Sequence, residues 1–402
     1  MKNLYRRNFV KQLFTGVAGT VLLSSYKPSD IDFSIGLLDK NDESEAFWEN
    51  IKAQFKFAPN LRYFNNGSLG SCPMAVQKAT NEFRATLDAF PSKYMWGGWH
   101  DEKEEVRQKV ADLFSVDKEE IALTHNTTEG MNLIARSFNL KEGDEIILID
   151  HEHKSSVIPF TVWQEERGIK LVRPIIPILP EKVEDIVKVY EDAITPRTKI
   201  ISMCHSVNTN GMVLPVKEVS EMAHKKGILV AVDGAQAAGM FDIDLKDLGC
   251  DFYTVSAHKW LFAPKGIAMF YAKKESQHHL KPLIVANGHT DKSIRRLENY
   301  NTRNLPELLG FGSAVDFING IGKEKISKRS YELKHYFRNK VKDNPKFKLK
   351  TPELDDLSCG IQTLEVVGQN VRNVRVQLRD KYHIDVRPMS TFGLNGLRIS
   401  LA

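Results

Sequence analysis

The sequence predicts an α/β fold: a mostly parallel sheet with helices on both faces forms a large domain, and a smaller α+β domain follows. Three observations carry this. Between residues 119 and 272, short β-branched runs alternate with stretches of helical spacing, the pattern of repeated strand–helix–strand units. Polar and ionisable residues recur just after those runs, at the edge where such sheets bind ligands. A chain of 402 residues is also too long for one simple core, so a second, smaller domain is expected.

Residues 1–30 carry paired Arg6 and Arg7, then Asn8-Phe9-Val10-Lys11, then an apolar run from Leu13 to Leu23. This pattern resembles a twin-arginine export signal and predicts an exported, periplasmic protein. The plainer alternative is a basic tail before a short buried helix, which leaves the protein cytoplasmic. The apolar run is too short for a stable membrane span. Residues 31–60 read as a polar linker with a helix around Phe47 to Phe55, and LRYFNNGSLGSCP (61–73) as a loop rich in turn-formers. Residues 74–114 have helical spacing, broken around Pro91, Gly97 and Gly98.

Strands are expected at EIILID (145–150), KLVRPII (170–176), KIISMCHS (199–206) and GILVAVDG (227–234). Helices fall between them at EKVEDIVKVYEDAI and VKEVSEMAHKKG, the second with Val216, Val219 and Ala223 on one face. DFYTVSAHK (251–259) and GIAMFYA (266–272) are separated by so short a connection that they read as an antiparallel pair closing the sheet. Residues 273–305 form a loop-rich bridge. Residues 61–305 are therefore assigned to the large domain and 306–402 to the small one. Gly310-Phe311-Gly312 lies in a helical stretch and reads as close packing.

Composition excludes several functions. The net charge of +5 is mild and its basic residues are dispersed, which argues against nucleic-acid binding. Cys72, Cys204, Cys250 and Cys359 are far apart and make neither a disulfide framework nor, with the histidines, a metal site. There is no P-loop and no G-x-G-x-x-G after a strand.

The strand ends gather chemistry. Asp150-His151-Glu152-His153 follows the first run, Asn208 the third, and Asp233-Gly234-Ala235-Gln236 the fourth; Ser256, His258 and Lys259 end the fifth. In HNTTEGMNLIARSF, Asn126 is a helix cap with Glu129 three residues on. Thr127 and Thr128 lie in the first turn, where free N–H groups and hydroxyls make an anion site.

LVAVDGAQAAGMFDIDLKDLGCDFYTVSAHKWLFAPKGIAMFY closely resembles the class V aminotransferases, pyridoxal-phosphate (PLP) enzymes of fold type I. YFNNGSLG, LTHNTTEGMNLIARS, IDHEHKSS and ENYNTRNLPEL resemble the isopenicillin N epimerase-like branch. The resemblance runs from about residue 60 to 400 and implies a seven-stranded-type sheet and a homodimer with shared active sites. By it, Lys259 forms the Schiff base with the PLP aldehyde, a task that needs a neutral amine. Asp233 pairs with the pyridinium nitrogen, so that the ring acts as an electron sink. Gln236 and Asn208 bind the ring's phenolic oxygen, and His153, with His151 as a rival, stacks on the ring. Thr127, Thr128, Ser256 and His258 hold the phosphate, and Thr302 reaches the partner subunit's cofactor. Arg398 binds the substrate carboxylate, with Arg387 as an alternative. The NNGSLG loop, with Asn66, contributes to the substrate pocket.

Two departures bear on function. Cysteine desulfurases of this fold carry a catalytic cysteine before the final arginine, and VRPMSTFGLNGLRIS has none. Asn301 stands where the family usually has glycine. The expected activity is aminotransfer or epimerisation at the Cα of an amino acid or peptide-like amine. The alternatives are a β-eliminating lyase on a cysteine-type substrate, and a non-catalytic PLP-fold binding protein.

Overall fold

The structure, a computed structural model, describes Asp42 and residues 44–402. The expected export signal, and the linker up to residue 41, lie outside the described residues. Helix α1 (Glu45–Ala53) falls where a helix was expected, capped by the Ser44 side chain. Helices α2 (Met74–Ala89) and α3 (His100–Leu113) are separated by a π-turn at Tyr94–Gly98. There Trp96 and Gly97 leave helical geometry, as the two glycines predicted.

Seven strands form the main sheet: β1 (Ile121–Thr124), β2 (Glu145–Ile147), β3 (Lys170–Val172), β4 (Thr198–Cys204), β5 (Leu229–Asp233), β6 (Phe252–Ser256) and β7 (Ala268–Ala272). Their spatial order is β1-β7-β6-β5-β4-β2-β3. All adjacent pairs from β6 to β3 are parallel, whereas β7 runs antiparallel to both β6 and β1. The β6–β7 pair is thus antiparallel as expected, but it does not close the sheet. The edge beyond it is β1, a run of four buried residues that occupies the last ladder.

Helices α4 (Thr127–Ser137), α5 (Lys154–Arg167), α6 (Val183–Ala193) and α7 (Val216–His224) connect the strands. Met131 and Ile134 of α4 and Phe160 of α5 pack with Ile146, Ile200, Ala231 and Phe252 of the sheet. The alternate residues Ile147, Ile201, Val230 and Tyr253 are equally buried, so both faces are covered. This explains why the strands read as continuous apolar runs rather than alternating ones.

Helix α8 (Leu305–Ile321) packs against α2 and α3. Gly310 and Gly312 permit this approach: a Cβ on Gly310 would lie 2.2 Å from Thr80 Oγ1, and one on Gly312 2.7 Å from a Val106 methyl. After α9 (Lys323–Val341), the chain forms a four-stranded antiparallel sheet. It comprises β8 (Phe347–Leu349), β9 (Ile361–Val366), β10 (Arg387–Met389) and β11 (Gly396–Ser400), in the order β10-β11-β9-β8, with α10 (Val371–Tyr382) after β9. One short pairing positions the site. Arg62–Tyr63 adds in parallel to Ile384–Asp385, and Ser400 N–H donates to Phe64 O at 2.8 Å. The 61–70 loop is thereby tied to the C-terminal sheet. Among the described residues, no helix is long and apolar enough to cross a membrane.

Candidate active site

A cavity of about 260 Å³ opens where β4, β5 and β6 end, and Cys204, Asp233 and Ser256, the last residues of those strands, line it. Strand pairing brings these ends side by side: Cys204 is the register partner of Asp233, Asp233 that of Thr254, and Ser256 follows Thr254 by two residues on the same strand. This is the edge at which open α/β sheets bind ligands.

One end of the cavity is built for an anion. Asn126 caps α4, its side chain accepting Glu129 N–H at 3.0 Å. The return arm of the expected capping box lands one residue earlier, where Glu129 Oε2 accepts His125 N–H at 2.8 Å. Thr127 N–H donates to Ser256 Oγ at 3.0 Å, and the two hydroxyls lie 2.9 Å apart. Thr127, Thr128, Ser256 and His258 all line the cavity at the positive end of this helix. His258 Nδ1 is buried without a partner, and burial holds its ring neutral, with a pKa down at about 4.

Lys259 lies beside them. Burial brings its amine down to about 8, although Asp233 pulls the other way; Arg398 and Arg387 assist the lowering. The turn that carries it is clamped from the 61–70 loop. Gly70 N–H donates to His258 O at 3.0 Å, and Asn66 Nδ2 donates to Lys259 O at 3.2 Å. A Cβ on Gly70 would sit 2.2 Å from Lys259 O, so only glycine allows this approach. Asn66 was expected to face substrate. It is instead buried behind the wall, because its carboxamide satisfies the Lys259 carbonyl, and Gly67 and Ser68 line the cavity in its place.

Asp233 is buried and held at both oxygens: Ala235 N–H donates to Oδ1 at 3.0 Å and Ser156 Oγ–H to Oδ2 at 2.9 Å. Gln236 lines the cavity between Gly67 O, to which its Nε2 donates at 2.7 Å, and Trp260 Nε1, which donates to its Oε1 at 3.0 Å. Asn208 lines it too. His153 caps α5, its Nδ1 accepting Ser155 N–H at 3.2 Å, and faces the cavity with its pKa lowered, mainly by burial. His151 turns away, to Thr209 Oγ1 at 3.1 Å and the Phe392 ring. His153 is therefore the cavity histidine of the two.

Arg398, 2% exposed, reaches the cavity from β11. Its guanidinium donates to Asn208 O at 3.0 Å, Asn65 Oδ1 at 3.1 Å and Ser68 Oγ at 2.7 Å, while its Nε is buried without a partner. Arg387 lines the mouth as well. Thr302 is exposed and outside this cavity, in a loop bordering a second hollow of about 270 Å³ lined by Tyr300, Asn301 and Arg303. Asn301 adopts φ +57°, a conformation glycine takes freely and asparagine tolerates better than most residues, so the exchange preserves the loop.

Sequence reasoning missed Glu152. It is buried beside Asp233; Oε1 accepts Cys204 N–H at 2.8 Å, and Oε2 has no partner. Burial, with Asp233 adding to it, pushes this carboxyl up to about 8. Its place in the Asp-His-Glu-His run gave no signal, since the groups that bury it come from other strands. The folded-state pKa lies above the ordinary 4.5, so the stabilisation from a protonated Glu152 is complete below 4.5 and lost as pH rises towards 8. Glu152→Gln should flatten the decline of melting temperature across that window relative to wild type. Parallel pH–melting curves for the two proteins would show that Glu152 is not neutral in the fold.

Comparison with known proteins agrees with this geometry. The family description "Aminotransferase class-V" matches residues 63–393. The chain belongs to the class-V aminotransferase family. Isopenicillin N epimerase of Streptomyces clavuligerus is 29% identical to this class-V chain over 357 residues, covering 85% of it and 90% of the epimerase. A cysteine desulfurase of Serratia proteamaculans is 31% identical over 320 residues, covering 75% of this chain and 78% of its own. The solved structure of the cysteine desulfurase CsdA from Escherichia coli superposes with a TM-score of 0.76 at 26% identity, covering 88% of this chain and 93% of that one.

The protein is thus a pyridoxal-phosphate-dependent class-V enzyme, and the cavity fits that cofactor. The hydroxyls of Thr127, Thr128 and Ser256 at the α4 N-terminus would hold the phosphate, and the unpartnered His258 Nδ1 is a further group for it. Asp233, pre-set by two donors, would hold the ring nitrogen's proton, and Gln236 and Asn208 stand ready for the ring's oxygen. Lys259, which also lines the cavity, would supply the amine.

Proposed function

We propose that this enzyme acts at the Cα of an amino acid or peptide-like amine, as an epimerase or aminotransferase. One observation carries the reading: a single cavity holds both the Lys259 amine, lowered to about 8, and the buried Arg398 guanidinium with a free Nε. When bound, pyridoxal phosphate supplies the sink for the electron pair left at Cα. Arg398 fixes the substrate's carboxylate and so orients the bonds at Cα. Lys259, neutral in a useful fraction near pH 7–8, removes or returns the Cα proton at its Nζ. Asp233 would hold a proton at the ring nitrogen of the bound cofactor. The exposed position of Thr302 fits service to a partner subunit's site, and we include a homodimer in the proposal.

The desulfurase relatives favour a second reading, β-elimination from a cysteine-type substrate. Persulfide formation on the protein is disfavoured, because all four cysteines are buried. Cys204 alone among them lines the cavity, and burial, then Glu152, holds its thiol well above its ordinary pKa.

Incubating the holoenzyme with L- and D-amino acids in D2O and following the Cα proton by NMR tests these readings. Exchange with appearance of the opposite enantiomer supports epimerisation, and keto acid with retained side chain supports aminotransfer. Pyruvate and sulfide from cysteine would move the enzyme to the lyases. No exchange and no change in cofactor absorbance with any amine would overturn the proposal.

A further inference from the structure

Arg387 and Arg398 are direct register partners on the antiparallel strands β10 and β11. Like charges directly opposite on a sheet destabilise it unless something offsets them. Among the described residues no carboxylate does so: none of their salt bridges includes either arginine. Asp233 is the one carboxylate lining the cavity, and it is committed to Ser156 and Ala235. Asp385, which precedes β10 by two residues, is committed to Asn65 at 2.9 Å and Arg375 at 3.4 Å. The two guanidiniums instead share one neutral group, Ser68 Oγ, at 2.7 Å from Arg398 and 3.2 Å from Arg387. These contacts cap the separation of the two bonded nitrogens at about 6 Å.

The pair is graded in burial. Arg398 is sealed in, whereas Arg387 is exposed at the cavity mouth with most of its donors free. A single carboxylate on Arg398 leaves the second cation without a counter-charge. We propose that Arg387 is a specificity residue for a second anionic group, so that the substrate is an amino acid or peptide-like amine with two anionic groups separated by a short spacer. This rests on the reading of the cavity as an amino-acid site with Arg398 on the α-carboxylate. The second anion takes the outer position because Arg387, nearer water, loses less hydration on pairing and discriminates by charge at the mouth.

The test compares isosteres that differ only in that charge. Binding of glutamate against glutamine, and aspartate against asparagine, in both enantiomers, is followed by the change in cofactor absorbance of the holoenzyme. The acids should bind at least about tenfold tighter than their amides, and Arg387→Gln should bring the ratio close to one. Succinate and glutarate should raise the melting temperature of the holoenzyme where butyrate at equal concentration does not, a readout that needs no amine chemistry. Equal affinity for acids and amides in wild type overturns the inference. So does an Arg387→Gln variant that weakens acids and amides by the same factor, since Arg387 then shares the α-carboxylate. If no amine perturbs the cofactor band while the dicarboxylates still stabilise the protein, the amino-acid reading fails and the two-anion site stands. If neither responds, both fail.

Discussion

Lys259→Ala should abolish covalent capture of the cofactor and lower turnover by at least about 10³-fold, since it removes both the linking amine and the proton carrier at Cα. The fold should survive, because the Lys259 contacts that brace the turn are made by its backbone: its carbonyl accepts from Asn66, and its N–H donates to Ser256 O. Removing a buried amine also removes a desolvation cost. Borohydride reduction followed by mass spectrometry reads the link directly: wild type gains the cofactor mass on the peptide containing residue 259 and the variant does not. In wild type, the rate at which apoenzyme captures the cofactor should climb as pH rises through about 8, because burial places the amine's pKa there and only the neutral form attacks. A variant that still gains the reduced adduct would place the link on another lysine.

Asp233→Asn should cost on the order of 10² to 10⁴ in turnover while leaving the melting temperature within a few degrees of wild type. The asparagine keeps the shape and can still accept Ala235 N–H through its oxygen, and the Ser156 hydroxyl can rotate to accept from the new amide. The negative charge that would hold a proton on the ring nitrogen is what disappears. The loss should fall on kcat rather than on KM, because Asp233 touches no part of the substrate that Arg398 orients. A variant with wild-type kcat would remove Asp233 from the chemistry.

Much of the site was legible because its residues are local to motifs. Asn126, Thr127 and Thr128 announce a capped helix start, and Asp233 and Ser256 end apolar runs whose register the sheet preserves. Asn66 was misread because a loop asparagine near the site has the same local signature whether it faces ligand or, as here, a backbone carbonyl 193 residues away. β1 escaped notice as the sheet's edge because four residues carry too little pattern, and its pairing with β7 spans more than 140 residues.

The sequence by itself determined the α/β class, the order of six of the seven main-sheet strands along the chain and most of the polar groups that line the cavity. The class follows from short-range periodicity and the strand-end groups from the rule that ligands sit there, whereas Arg398 and Arg387 came from the family resemblance. Tertiary structure alone decided what those groups are. The Lys259 amine is brought down to about 8 and the Glu152 carboxyl pushed up to about 8 because both are buried among residues from other parts of the chain. Arg387 and Arg398 become one dicationic site only when β10 pairs with β11. Desolvation and charge proximity are sums over neighbours in space, and those neighbours are distant in the chain.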